Sequence, residues 1–221
     1  MRIALISDIH ANLPALEAVL ADIDARGDTD ATYHLGDLVG YAPWPNETVS
    51  AVRAAGIPGV AGNYDSTVAA DYKHCGCKYE DPQQEALSHE SYAWTLANVS
   101  TETKQFLRSL PFRLDIRPLG GHAAGPSVIL VHGNHVLNTV YVTEDRPDTF
   151  LAKMAEGLGA RAGDVVLLWA YAQSLAAHGE RCALREHRIR RPPEGRRFAC
   201  RLRATDDRCG WRAHRDGADR L

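Results

Sequence analysis

The chain has 221 residues, 45% of them hydrophobic, enough for one sizeable globular core rather than a disordered polymer. Its 25 basic and 28 acidic residues leave a net −3, and no run approaches the roughly 20 apolar residues that a membrane span needs. Five cysteines do not make a disulfide framework.

Residues 2–7 read as a buried strand, Ile3-Ala4-Leu5-Ile6, closed by Asp8-Ile9-His10. That early break in the apolar run marks no signal peptide, so a reduced, cytoplasmic setting is the expectation. Asn12 then caps a helix that carries Pro14 in its first turn, presents Leu16, Val19, Leu20 and Ile23 on one face, and ends at Gly27. A strand at 31–35 leads to Gly36-Asp37. The loop from Gly40 to Pro45 is irregular, and a helix near 46–55 follows. A short strand, Gly59-Val60-Ala61, leads to Gly62-Asn63. Residues 66–82 read as a long surface loop and 83–109 as two helices. Strands near 112–117 and 127–132 follow, the second closing on His132-Gly133, then a helix near 147–157 and a strand at 164–168. Strand–helix alternation argues an α/β sheet.

Four apolar runs thus end in Asp, His or Asn. In open α/β sheets, ligands bind just past the carboxyl ends of the strands. Asp8, His10, Asp37, Asn63 and His132 therefore point to one convergent metal site. Carboxylate, imidazole and amide oxygen suit Mn, Fe, Zn or Ni rather than a thiolate centre.

Asp8-x-His10, Gly36-Asp37, Gly62-Asn63-x-Asp65 and His132-Gly133 together resemble the calcineurin-like metallophosphoesterases, most nearly the small prokaryotic phosphodiesterases. The resemblance runs from residue 1 to about 168, in the family's order and spacing. It implies an αββα two-sheet sandwich with a helical insertion at about 66–109. It also implies two divalent ions, Mn favoured over Fe, Ni or Zn, and hydrolysis of phosphoesters by a metal-bridging hydroxide. By resemblance Asp37 bridges the ions, Asp8 and His10 hold the first, and Asn63 and His132 hold the second, with Asn63 also near the substrate. Phosphorus is shielded by negative oxygens, so two ions roughly 3.5–4 Å apart serve to bind the phosphate and activate water. The expected substrate is a small-molecule or nucleotide phosphoester, with no membrane partner, no nucleic acid, and a homo-oligomer left open.

The family's last motif, Gly-His-x-His, should follow Val165-Val166-Leu167-Leu168, but the chain reads Trp169-Ala170-Tyr171-Ala172-Gln173. Shifted forward by one base, codons for residues 168–173 can encode Phe-Gly-His-Thr-His-Lys. Codons for 187–196 shifted alike can encode Ile-Gly-Ser-Val-Gly-Arg-Pro-Lys-Asp-Gly, resembling the Gly-Ser-rich segment that follows the motif. One inserted base near codon 168, or the loss of two, explains both. From residue 169 there are 13 Arg, no Lys and 7 acidic residues, so this tail is +6 while residues 1–168 are −9. A basic nucleic-acid-binding tail is one reading of that asymmetry, but aromatic interleaving is lacking. Out-of-frame GC-rich DNA explains it better, and 169–221 is expected to be poorly ordered or irregular. Without the motif each ion is one ligand short, so activity is expected to be impaired.

The remaining candidates carry alternatives. Asp8 and Asp37 alone would read as turn caps. His34 is expected to pack, Asn12 to cap and face the site edge, and His135 to lie on the surface, with lining the pocket or taking up a vacant ligand role as its alternatives. Tyr64 stands where phosphomonoesterases carry a histidine that protonates the leaving group, which argues for phosphodiesters; it also reads as a packing residue. His74-Cys75-Gly76-Cys77 lacks the second ligand pair of a zinc site, so two free thiols in a loop are expected. Rival functions are a phosphomonoesterase or nucleotide hydrolase, and a non-catalytic scaffold such as the retromer subunit of this fold.

Overall fold

The computed structural model describes residues 2–77, 79, 81–117, 126–140, 142 and 146–168, and the strand backbones 174–178, 181–184, 200–204 and 211–214. Strand β1 (Arg2–Ile6) leads into α1 (Leu13–Arg26) and β2 (Ala31–His34), followed by α2 (Pro45–Ala54) and α3 (Asn63–Ala69). Helices α4 (Pro82–Asn98) and α5 (Thr101–Ser109) precede β3 (Arg113–Ile116) and β4 (Val128–Val131). Helix α6 (Asp148–Gly157), β5 (Val165–Leu168), β6 (Ser174–His178), β7 (Arg181–Leu184), β8 (Cys200–Ala204) and β9 (Trp211–His214) complete the order.

The strands form two sheets, β2-β1-β8-β9 and β3-β4-β5-β6-β7, with β1–β2 and β4–β5 parallel. Alternation along β4 shows how the layers form. Val128 and Leu130 join Ile3, Leu5, Val165 and Leu167 in the apolar layer between the sheets. Ile129 and Val131 face outward onto Leu151 and Met154 of α6. A strand buried on both faces reads as a continuous apolar run, which is why Val-Ile-Leu-Val is legible. Helices α1 to α5 pack over the other sheet around Leu16, Leu38, Val49, Tyr64, Tyr92 and Leu107. The expected αββα sandwich is therefore present. Among the described residues, no helix is long and apolar enough to cross a membrane.

Three expectations are corrected. The strand predicted before Asn63 is one bridge, His34 to Gly59, because Pro58 carries no N–H to extend a ladder. The predicted loop at 66–82 begins inside a buried helix, α3, whose Asp65 carboxylate reaches back to the Gly62 N–H at 2.9 Å. That Gly-x-x-Asp arrangement is half of a capping box, missed because glycine hides the cap. Cys75 and Cys77, expected as free thiols, are disulfide-bonded, since the turn at Gly76 brings their Cα atoms to 5.4 Å. Strand backbones β6 to β9 lie in the tail. These extend β5 and β1 through main-chain pairing, which open sheet edges offer with little regard to side chain. The altered motif at 169–173 and the second shifted stretch at 187–196 lie outside the described residues.

His34 packs, as expected. It is 0% exposed against Gly59, its two ring nitrogens have no hydrogen-bond partner, and burial pushes its pKa down to about 4. The unfolded imidazole takes up its proton near 6.5, so the folded state binds fewer protons between these values. Stability should be full above pH ~6.5 and fall by up to roughly 3 kcal/mol as pH drops through about 4. Urea midpoints measured at about pH 7 and about pH 5 should converge in a His34→Leu chain. An acid loss of the same size in that variant would assign the effect to another group.

Candidate metal centre

The loops after β1 and β2 are zipped together by backbone hydrogen bonds. Asp8 N donates to Gly36 O at 3.1 Å, His10 N to Asp37 O at 2.9 Å, and Ala11 N to Leu38 O at 2.7 Å. This pairing holds four non-glycine residues at positive φ: Asp8 (54°), His10 (47°), Ala11 (56°) and Asp37 (56°). Such conformations are sparsely populated and persist where surrounding contacts enforce them. The result turns Asp8, His10 and Asp37 toward one point, their ligand atoms lying within 4.8 Å of one another.

Two imidazoles are aimed in the same way. His10 Nδ1 donates to Val39 O at 3.0 Å, so its Nε2 faces Asp8 Oδ1 at 3.5 Å and Asp37 Oδ2 at 3.7 Å. His132 Nδ1 donates to Leu35 O at 2.6 Å, leaving Nε2 3.6 Å from Asp37 Oδ2 and 3.1 Å from Asn63 Oδ1. Anchoring one ring nitrogen on a carbonyl to present the other is how metal-binding histidines are oriented. Asp37 thus stands between His10 and His132, and all five predicted residues converge.

The electrostatics ask for a cation. Asp8 Oδ1 is buried without a hydrogen bond, and burial pushes its carboxyl up. Burial alone would lower the His10 pKa, but the facing Asp8 carboxylate and the charge of Asp37 outweigh it and hold the ring at about 9. Carboxylate, imidazole and amide oxygen atoms facing a shared point fit a borderline divalent ion, which satisfies acceptors that otherwise oppose one another.

Asp65 and Asn138 were not predicted as site residues. The buried Asp65 carboxylate accepts from the backbone N–H groups of Asp37 (2.8 Å), Leu38 (2.8 Å) and Gly62 (2.9 Å). It therefore clamps the Asp37 loop to the Asn63 turn, and its place in Gly62-Asn63-x-Asp65 was the available signal. Gly62 is required there, since an added Cβ would lie 2.0 Å from Asp37 Oδ1. Tyr64 N donates to that same oxygen at 2.9 Å. Asn138 Nδ2 donates to Gly62 O at 3.0 Å and Ser66 Oγ at 2.8 Å, joining the loop after His132 to α3. Nothing in the local sequence marks it.

The other candidates sort by packing. Tyr64 is 1% exposed and stacks edge-on to His10 and Tyr92, so it is part of the wall behind the site. Asn12 caps α1 through Ala15 N at 3.1 Å. His135 is half-buried and packs against Gly157 of α6.

A family model described as calcineurin-like phosphoesterase matches residues 1–153. An uncharacterized protein of Methanocaldococcus jannaschii is 38% identical over 136 residues, 60% of this chain and 49% of that protein. The chain thus spans about half the length of the curated relative it matches. A hypothetical protein from Pyrococcus horikoshii, 20% identical, aligns over 80% of this chain and 73% of that chain with a TM-score of 0.60, a likeness of fold. A metallophosphoesterase from Sphaerobacter thermophilus is 32% identical, covering 71% of this chain and 56% of that one, with a TM-score of 0.48.

Proposed function

Because this chain belongs to the calcineurin-like phosphoesterase family, we propose that it descends from a metal-dependent hydrolase of phosphoesters, acting on phosphodiesters. The observation that carries this reading is the Asp37 carboxylate standing between His10 and His132, with Asp8 and Asn63 completing the two sides. Asp8, His10 and Asp37 would hold one ion and Asp37, Asn63 and His132 a second. Divalent ions in such a site lower the pKa of water and stabilise charge on phosphoryl oxygens.

The chain's own residues supply orientation. Leu35 O and Val39 O fix the two imidazoles, and Asp65 fixes the loop that carries Asp37. Tyr64, the residue at the position where a general acid would stand, is buried and has its pKa pushed further up by burial and by Tyr41. Proton donation to a poor leaving group is therefore unsupported there, which favours phosphodiesters with good leaving groups.

The reading includes the break at residue 168. Two histidines encoded in the shifted frame would add one ligand to each ion. The test uses both chains, as written and frame-restored, on bis(p-nitrophenyl) phosphate with Mn2+, Fe2+, Ni2+ or Zn2+, and a panel of phosphomonoesters. The restored chain should hydrolyse the diester fastest with Mn2+, lose activity on chelation and regain it on metal return. The chain as written should be slower by at least about tenfold, the lower range for losing support of a metal site. Equal rates would remove the frame argument, and chelator-resistant hydrolysis would remove the metal reading.

A further inference from the structure

Cys77 Sγ accepts a hydrogen bond from Asn63 Nδ2 at 3.2 Å. The other end of that amide, Oδ1, lies 3.1 Å from His132 Nε2. An amide side chain presents a donor at one end and an acceptor at the other, so an acceptor sulfur on Nδ2 selects the rotation that turns Oδ1 toward His132 and Asp37. The sulfur is itself held. It is bonded to Cys75, which is 2% exposed in the core cluster with Tyr64 and Tyr92. Cys77 N donates to Cys75 Sγ at 3.2 Å, and Tyr79 Oη lies 3.3 Å from that sulfur. Gly76, at φ +74°, makes the turn, and a Cβ there would meet Thr139 Cγ2 at 2.9 Å, in the loop after His132. Cys77 therefore lies against Asn63, and the turn at Gly76 that joins the pair runs close to Thr139 in the loop after His132.

We propose that Cys75 and Cys77 form a redox modification site whose disulfide positions the Asn63 amide, and so tunes divalent-metal binding on the Asn63–His132 side. The part concerning metal rests on the reading of Asn63 as a ligand. Cys77 is only partly buried, within reach of a small dithiol. Thiol–disulfide exchange transfers two electrons and two protons from the dithiol: its S–H bonds become one S–S bond, and the Cys75–Cys77 bond becomes two thiols. A peroxide reverses this, its O–O bond taking the two electrons and two protons to leave water or alcohol. In the dithiol form Cys77 is no longer tethered to the buried Cys75, and its sulfur is free to leave Asn63.

The experiment uses the full chain carrying C182S, C200S and C209S, so that only this pair responds. Oxidised protein and protein reduced with a dithiol, then freed of reductant under argon, are compared by alkylation and intact mass. The Asn63 side-chain amide signal is followed metal-free by nuclear magnetic resonance, and Mn2+ affinity is measured in both states. Reduction should add two alkylation sites, move the Asn63 signal and weaken Mn2+ binding by about tenfold, as loss of an outer-shell partner does. The affinity difference should vanish when Cys77→Ser is added. An unmoved Asn63 signal after full reduction, or a pair that never alkylates differently, overturns the proposal. Equal Mn2+ affinity in the two states overturns the tuning. A moved signal with no Mn2+ binding in either state upholds the positioning by sulfur and overturns the metal reading instead.

Discussion

Asp37→Asn is expected to lower Mn2+ affinity by at least about 100-fold, with hydrolysis by the frame-restored chain falling alongside, since even outer-shell losses cost 10–100-fold. The argument is geometric. Asp37 Oδ2 lies 3.7 Å from His10 Nε2 and 3.6 Å from His132 Nε2, so it is the one carboxylate oxygen facing both imidazoles among the described residues. Asparagine keeps the shape and an oxygen for the Tyr64 N–H, which Asp37 Oδ1 now accepts at 2.9 Å. It removes the negative charge that pulls a cation between the histidines. Folding should therefore survive, with urea stability within about 1 kcal/mol of the parent. A variant that binds Mn2+ as tightly as the parent would show that Asp37 does not join the two halves.

Asp65→Ala should have the largest effect on stability. Its carboxylate is the acceptor for three backbone donors, on Asp37, Leu38 and Gly62, in a place where water does not reach. Each buried donor left unpaired costs about 1–3 kcal/mol, so the three together approach 5 kcal/mol. Whole domains are stable by only about 5–15 kcal/mol, so this variant should be largely unfolded or acutely sensitive to urea. Asp65→Asn keeps one acceptor oxygen and should lose an intermediate amount, while also loosening the Asp37 loop. A urea midpoint for Asp65→Ala close to the parent's would mean that these N–H groups find other partners.

Much of the molecule is legible because its signals are local. Val128 to Val131 and Val165 to Leu168 are apolar throughout because both strand faces are covered, and Asn12 with Pro14 marks the start of α1. Asp8, His10, Asp37, Asn63 and His132 are visible as polar residues that interrupt apolar runs. Helix α3 was hidden because its capping partner is a backbone N–H on Gly62, and its burial comes from packing that no periodicity records. Asn138 was hidden for a similar reason, since it acts on Gly62 and Ser66, more than seventy residues away.

By itself the sequence determined the strand–helix alternation, the motifs of the family resemblance through which a two-sheet sandwich is implied, the five candidate ligands and the change of character after Leu168. Residue type and spacing carry these, because strand periodicity and donor chemistry are properties of short segments. Only the tertiary structure decided that Asp37 lies between the two histidines, that Asp65 clamps its loop, and that Cys77 lies on the Asn63 amide. Those are contacts between loops distant along the chain, and their meeting depends on backbone hydrogen bonds and packing that the identity of a residue does not specify.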